Sequence, residues 1–213
     1  MLKYKNIIFD LDGTLVDSAP AILSSIGAAF DKVGILPIRK LNQSLIGPPL
    51  IEIFEGLVEE SQKQHIGSLL NHFKYNYDRE GYKNTRVFDG VPSLLNALHD
   101  KEYILHIVTN KRLAPTISLI EMFNWSSIFK SVYSLDSFTP ALLNKEYLIR
   151  EVLIEQSIDV NTACYIGDRN EDGEAAQVNG LDFIMIEWGY DKSNGKYKLA
   201  SNPESLLNLL LRH

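Results

Sequence analysis

The sequence predicts an α/β fold, a doubly wound parallel sheet with an inserted all-helical cap. Three observations lead there. From residue 87 onward, short apolar strand-like runs alternate with helical runs, and such alternation implies a parallel sheet wrapped by helices on both faces. A lone strand-like run, Ile7-Ile8-Phe9, precedes that region by some distance. Between the two the period stays helical and nothing alternates as a strand does. The expected organisation is a core built from residues 1–15 and 87–213, split by a helical cap at 16–86.

The first strand is short, β-branched and aromatic, and ends near Asp10, with Gly13 soon after. A helix is expected over 18–33. Ser18 suits its N-cap, Pro20 its first turn, and Gly34 its end, while Ile22, Ile26, Ala29, Phe30 and Val33 share one face. In the insert, Leu41 and Leu45 suit a short helix ending at Gly47. Pro48-Pro49 opens another, carrying Leu50, Ile53, Phe54 and Leu57, and 61–77 suits a longer one. The texture changes at Val87-Phe88-Asp89-Gly90. Helices are then expected over 94–99, 115–123, 143–156, 171–178 and 203–211, and strands over 103–108, 131–134, 163–166 and 182–186. Both junctions of the insert are short, which suits a hinged lid.

Bulk properties narrow the function classes. The 213 residues suffice for one sizeable core with a small insert, and 45% hydrophobic with 23% charged residues is ordinary for a globular chain. A net charge of −6 without a long basic run argues against a nucleic acid polymer as partner. The one cysteine, Cys164, allows no internal disulfide and fits a reducing, cytoplasmic setting. The N-terminal MLKYKNIIFDLDG does not read as a signal peptide, and no apolar run approaches the length of a membrane span.

Each expected core strand ends in something polar. The first gives Asp10 and Asp12, the next Thr109, Asn110 and Lys111, and a later one Asp168, with Asp172 a helical turn on; Lys145 heads a helix between them. In a parallel sheet these strand ends share one rim, where ligands bind. Clustered carboxylates repel by roughly 4 kcal/mol per pair at 4 Å and an effective dielectric of 20. They persist where a hard cation binds between them, and magnesium prefers one or two carboxylates with waters and phosphate oxygens. Asp10 and Asp12, two apart in extended chain, face the same way. One can attack phosphorus while held to metal, and the other can protonate the leaving oxygen.

These residues lead to a family. DLDGTLVDS from Asp10, VTN at 108–110 and IGDRNEDGEAA at 166–176 resemble, in order and spacing, the motifs of the haloacid dehalogenase (HAD) superfamily. The resemblance covers nearly the whole chain. The insert is similar to the small helical cap of the phosphoglycolate-phosphatase-like branch. IGPPL, FDGV, NKEYLIREVL and EWGY are similar to stretches in phosphoglycolate phosphatases and 5′-nucleotidase-like phosphatases. The resemblance implies a magnesium-dependent phosphatase of small phosphomonoesters, of phosphoglycolate or nucleoside 5′-monophosphate type, working through an aspartyl-phosphate. It implies Asp10 as nucleophile and metal ligand. Asp12 becomes the general acid and then base, lending its backbone carbonyl to the metal. Thr109 and the backbone of Asn110 hold phosphoryl oxygens. Lys145 neutralises charge, and Asp168 and Asp172 serve the metal. A sugar-phosphate mutase on the same scaffold, or a silent phosphometabolite-binding protein, are the alternatives.

The chain departs from the family pattern in places. Glu146 follows the lysine where proline is frequent, which leaves Lys111 as a rival of Lys145. Arg169 and Gly173 stand where a small and an aliphatic residue are usual. Arg169 is expected at the surface or in packing. Gly47-Pro48-Pro49 reads equally as a helix break or as a loop over the site. Phe73, Tyr75 and Tyr77 are expected as cap core and rim, and Cys164 as core. His65, His72, His99, His106 and His213 share no metal spacing and are expected to be structural.

Overall fold

The computed structural model describes residues 3–211; His213 lies outside them. Strands β1 (Asn6–Phe9), β4 (Ile104–Thr109), β5 (Phe129–Ser134), β6 (Ala163–Gly167), β7 (Asp182–Ile186) and β8 (Lys198–Ala200) form one sheet in the order β5-β4-β1-β6-β7-β8. Every neighbouring pair is parallel. Helices α4 (Val91–Asp100), α5 (Leu113–Met122) and α8 (Pro203–Leu211) cover one face, and α6 (Lys145–Glu155) and α7 (Asn170–Val178) the other. This is the doubly wound α/β sheet that the sequence predicts.

The side-chain period of two sorts the strands between these layers. Ile7 and Phe9 of β1, Leu105 and Ile107 of β4, and Cys164 and Ile166 of β6 join the α4–α5–α8 side. Ile8, Val108, Ala163 and Tyr165 join the α6–α7 side. Central strands covered on both faces read as continuous apolar runs, which is why they were visible in the sequence. His106 is buried in β4, with Nδ1 2.7 Å from Ser131 Oγ and Nε2 3.1 Å from Asn6 Oδ1. Burial pushes its pKa down to about 4, so it stays neutral and structural. Cys164 is fully buried, and burial pushes its thiol pKa well up.

The two chain crossings between this sheet and the helical insert pair with each other. β2 (Val16–Asp17) runs antiparallel to β3 (Arg86–Val87). Between them lie α1 (Ala19–Val33), α2 (Leu50–Glu55) and α3 (Ile66–Tyr77), packed around their own apolar cluster. Its spine is aromatic: Phe30, Phe54, Phe73 and Tyr77 follow one another at centroid spacings of 6.0, 6.1 and 5.2 Å. Tyr75 faces away and is exposed.

Several expectations need correction. The short helix around Leu41 and Leu45 is a single 3₁₀ turn, Gln43–Leu45, because Asn42 caps it by accepting from the Ser44 N–H at 3.0 Å. The helix expected over 61–77 starts at Ile66. Glu60–His65 is 3₁₀ and buries no residue, so no packing holds it in α geometry. Ser18 does sit at the N-cap of α1, but its hydroxyl makes no capping bond. The cap comes from far along the chain: the phenolic oxygen of Tyr190 accepts from the N–H groups of Ser18 and Ala19 at 2.8 and 2.9 Å. β8 escaped the sequence reading because an edge strand of three residues, two of them exposed, has no apolar pattern to see.

Candidate active site

The C-terminal rim of the sheet carries the polar groups. β1 delivers Asp10, whose N–H donates to Ile166 O at 2.9 Å, so the chain stays in register with β6 beyond the strand. It then turns sharply: Gly13 has φ of +85°, and its N–H donates to Val16 O at 2.9 Å. A side chain there would also meet Asp168, since a Cβ would lie 2.4 Å from its Oδ2. β6 ends at Gly167 and hands over to Asp168. α7 places Asp172 in its first turn, where Oδ2 accepts from the Arg169 N–H at 3.2 Å. Asn144 caps α6 by accepting from the Tyr147 N–H at 3.1 Å, which sets Lys145 as the first helical residue.

Asp10, Asp168 and Asp172 converge so that one oxygen from each lies within 4.8 Å of the others, all buried. Lys145 serves two of them: its Nζ lies 3.1 Å from Asp10 Oδ1 and donates to Asp172 Oδ1. One ammonium does not balance three carboxylates. Burial, joined by the charges of Asp172 and Asp12 against the pull of Lys145, raises Asp10 to about 6. Burial and the charges of Asp172 and Asp10 raise Asp168 to about 8. Burial works against the Lys145 ammonium, but Asp10 and Asp172 outweigh it and hold its pKa well above the ordinary value.

Asp12 stands apart from this cluster. Both its oxygens accept from Lys111 Nζ at 3.1 Å, and the same ammonium donates to Tyr77 Oη at 2.8 Å. The two lysines that the sequence set in competition thus divide the aspartates, Lys145 on Asp10 and Lys111 on Asp12. Thr109, at the end of β4, is buried, and its Oγ1 accepts from the Lys111 N–H at 3.3 Å. Asp10, Asp12, Thr109, Asn110 and Lys111 line one cavity beneath the helical insert.

The loop after β4 touches the insert at successive residues. Asn110 Nδ2 donates to Gly47 O at 2.9 Å, Lys111 reaches Tyr77, and Arg112 lies on the Asp78 carboxylate with two nitrogens. Gly47 and Pro48 line the cavity, so the Gly-Pro-Pro loop does sit over the site. Arg169 is neither free at the surface nor in the cavity wall. It donates to Ile46 O at 2.6 Å, and a Cβ on Gly47 would lie 2.3 Å from its Cδ. Gly173 is explained by crowding too, with Tyr197 and Phe183 where a side chain would go.

Sequence reasoning missed the groups that hold the Asp168 carboxylate in place. Thr14 Oγ1 donates to its Oδ1 at 3.2 Å and the Tyr190 N–H to its Oδ2 at 2.8 Å. Trp188 Nε1 donates to Thr14 O at 3.0 Å, and Gly189 lies so close that a Cβ would be 2.2 Å from Asp168 Cβ. The signal was present: Trp188-Gly189-Tyr190 follows directly on the expected strand 182–186, and so belongs to the same rim.

Relatives of this chain include proteins named as a nucleotidase, as phosphatases and as a tyrosine-protein kinase. A 5′-nucleotidase of Pseudomonas aeruginosa is 32% identical over 190 residues, covering 89% of this chain and 85% of that protein. A phosphoglycolate phosphatase of Aquifex aeolicus is 26% identical over 217 residues, covering 97% of each. The crystal structure of a "predicted phosphatase" from Clostridium acetobutylicum superposes with a TM-score of 0.86 at 26% identity, covering 99% of both chains. The haloacid dehalogenase-like hydrolase model matches residues 7–186, and the chain belongs to that family.

Proposed function

We propose that the protein is a magnesium-dependent phosphatase of small phosphomonoesters that works through an aspartyl-phosphate on Asp10. The observation that carries this reading is the buried Asp10–Asp168–Asp172 cluster, under-neutralised by one lysine, whose Asp10 also lines a cavity. The donor set fits a hard divalent cation: the clustered side-chain atoms are carboxylate oxygens, and the buried Asp10 Oδ1 accepts no hydrogen bond and has only the Lys145 ammonium beside it, at 3.1 Å. Asp10, Asp168 and Asp172 would hold it, with the backbone carbonyl of Asp12. When bound, a magnesium ion supplies positive charge to the carboxylates and the phosphoryl oxygens.

This chain's residues then divide the work. The Asp10 carboxylate attacks phosphorus, forming one P–O bond as the ester P–O bond breaks. Asp12 gives its proton to the departing alcohol oxygen. The Asp12 carboxylate next takes a proton from water, whose oxygen attacks the same phosphorus and returns Asp10 as a free carboxylate. Thr109 is disposed to donate to a phosphoryl oxygen, since its own oxygen already accepts from Lys111 N–H. The Asn110 side chain is engaged by Gly47 O, which leaves its backbone N–H for the phosphoryl group. Lys145 and Lys111 hold the two aspartates in place and offset the gathering negative charge. Residues 16–86 act as the cap, turning on the paired β2–β3 crossings to admit the ester and exclude water.

Phosphate release from a panel of phosphomonoesters, with and without magnesium, tests the reading. Magnesium-dependent release of inorganic phosphate is expected. Isomerised sugar phosphate without release would make the protein a mutase, and no turnover of any ester would leave only a binding protein.

Metal removal should also register in stability. Asp10 and Asp168 have folded pKa values raised to about 6 and about 8 from 3.8. Their favourable contribution is complete below the unfolded value and is lost as pH rises through 6 and then 8. The metal-free protein should therefore melt lower at pH 8.5 than at pH 5. Magnesium should bind more tightly at the higher pH, so one fixed free concentration should restore more stability there; a concentration of a hundred times Kd gives about 2.7 kcal/mol. A flat profile, or equal magnesium effects at both pH values, would contradict the assignment of this cluster.

A further inference from the structure

The cavity above Asp10 has two unlike ends. Asp10, Asp12 and Thr109 form its floor, while Ile22, Ile46, Leu50, Ile53, Phe73 and Pro115 form the wall where the rest of an ester must lie. Six apolar side chains dominate that wall, and the polar groups that also line the cavity there already have partners: Asn110 on Gly47 O, Tyr77 Oη on Lys111, and Arg112 on Asp78.

The cations nearby are already committed. Lys111 Nζ is engaged by both carboxylate oxygens of Asp12 and by Tyr77 Oη. Arg112 lies on Asp78 with both terminal nitrogens. Lys145 is turned to Asp10 and Asp172. A second carboxylate on the substrate would enter between an apolar wall and two aspartates, where the nearby ammonium and guanidinium groups are already paired with carboxylates of the protein. An unpaired charge held away from water is costly, whereas an apolar alcohol is favoured there.

We infer that the ester hydrolysed here has an uncharged alcohol that presents an apolar face next to the phosphoryl group, and that esters bearing a carboxylate at that place, phosphoglycolate included, are poor substrates. This rests on the proposed phosphatase reading and narrows it. Of the two ester types that the sequence resemblance implies, the nucleoside monophosphate has an uncharged alcohol and phosphoglycolate does not. The committed cations, rather than the size of the cavity, make the choice.

The test compares kcat/KM, with magnesium, for 2-phosphoglycolate, propyl phosphate and benzyl phosphate. The first two are close in size and differ in the carboxylate. Propyl phosphate is expected to exceed phosphoglycolate by at least about ten-fold, with benzyl phosphate higher still. Leu50→Arg places a guanidinium in the half-buried first turn of α2 and should shrink the propyl-to-phosphoglycolate ratio by about five-fold or more. If that variant fails to fold, the wild-type ratio decides alone. Phosphoglycolate hydrolysed as fast as propyl phosphate, or faster, overturns the inference while the phosphatase reading stands. No magnesium-dependent hydrolysis of these three esters or of a nucleoside 5′-monophosphate overturns that reading, and this inference with it.

Discussion

Asp10→Asn should fold normally, melt at the wild-type temperature or higher, and release phosphate about 10⁴-fold more slowly or worse. The two halves of this result have separate causes. The amide nitrogen cannot attack phosphorus, and the variant's amide cannot form the mixed anhydride through which the reaction is proposed to pass. The stability half follows from charge. Asp10 belongs to a buried set of three carboxylates served by one lysine, and its own pKa is raised to about 6. Replacing it with a neutral isostere at neutral pH relieves repulsion from Asp172 and Asp12. Activity measured beside a thermal melt in the absence of metal checks both. Phosphate release within ten-fold of wild type would mean that Asp10 is not the nucleophile. A marked loss of thermal stability would mean that the cluster is held by more than Lys145.

Lys145→Met has the opposite stability sign. It keeps the length of the side chain and removes the ammonium that faces Asp10 and Asp172. Breaking a buried pair by deleting one partner costs about 3–5 kcal/mol, because the charge left behind has neither water nor a counter-ion. In a chain of this size that is a fall of roughly 6–20 °C in the melting midpoint. Activity should drop by about 10²- to 10³-fold, the scale of losing one group that stabilises transition-state charge. Magnesium should return part of the lost stability, since it brings charge to the same carboxylates. A midpoint within about 2 °C of wild type would show that Lys145 is not the main counter-charge of the cluster.

The legibility of this chain follows from what each residue packs against. The strands at the centre of the sheet were readable because burial on both faces imposes unbroken apolar runs such as Ile7-Ile8-Phe9 and Ala163-Cys164-Tyr165-Ile166. The residues after those runs were readable as a set because parallel strands bring their C-terminal ends to one rim. Asp10, Thr109 and Asp168 follow that rule, and Lys145 and Asp172 lie in the first turns of the helices beside it. Contacts that depend on side chains meeting across the fold were not readable. Nothing local to Ser18 says that a tyrosine 172 positions away caps its helix. The partition of Lys111 to Asp12 and Lys145 to Asp10 depends on which way two long side chains turn. Arg169 departs from the family pattern for a reason visible only in space, its bond to Ile46 O over Gly47.

Four consecutive residues after β4 have four different attachments: Thr109 faces the reaction floor, Asn110 holds Gly47, Lys111 ties Asp12 to Tyr77, and Arg112 grips Asp78. A segment that short has little slack, so its two jobs share one free energy. Whatever factor the proposed closure of residues 16–86 contributes to holding phosphate, bound phosphate must contribute to that closure. Inorganic phosphate, the expected product, is then its own retention signal. Turnover at saturating ester would be limited by how fast this clasp lets go, and mutations at Asp78 or Tyr77, the residues of the helical insert that Arg112 and Lys111 hold, would be felt first as a change in product inhibition.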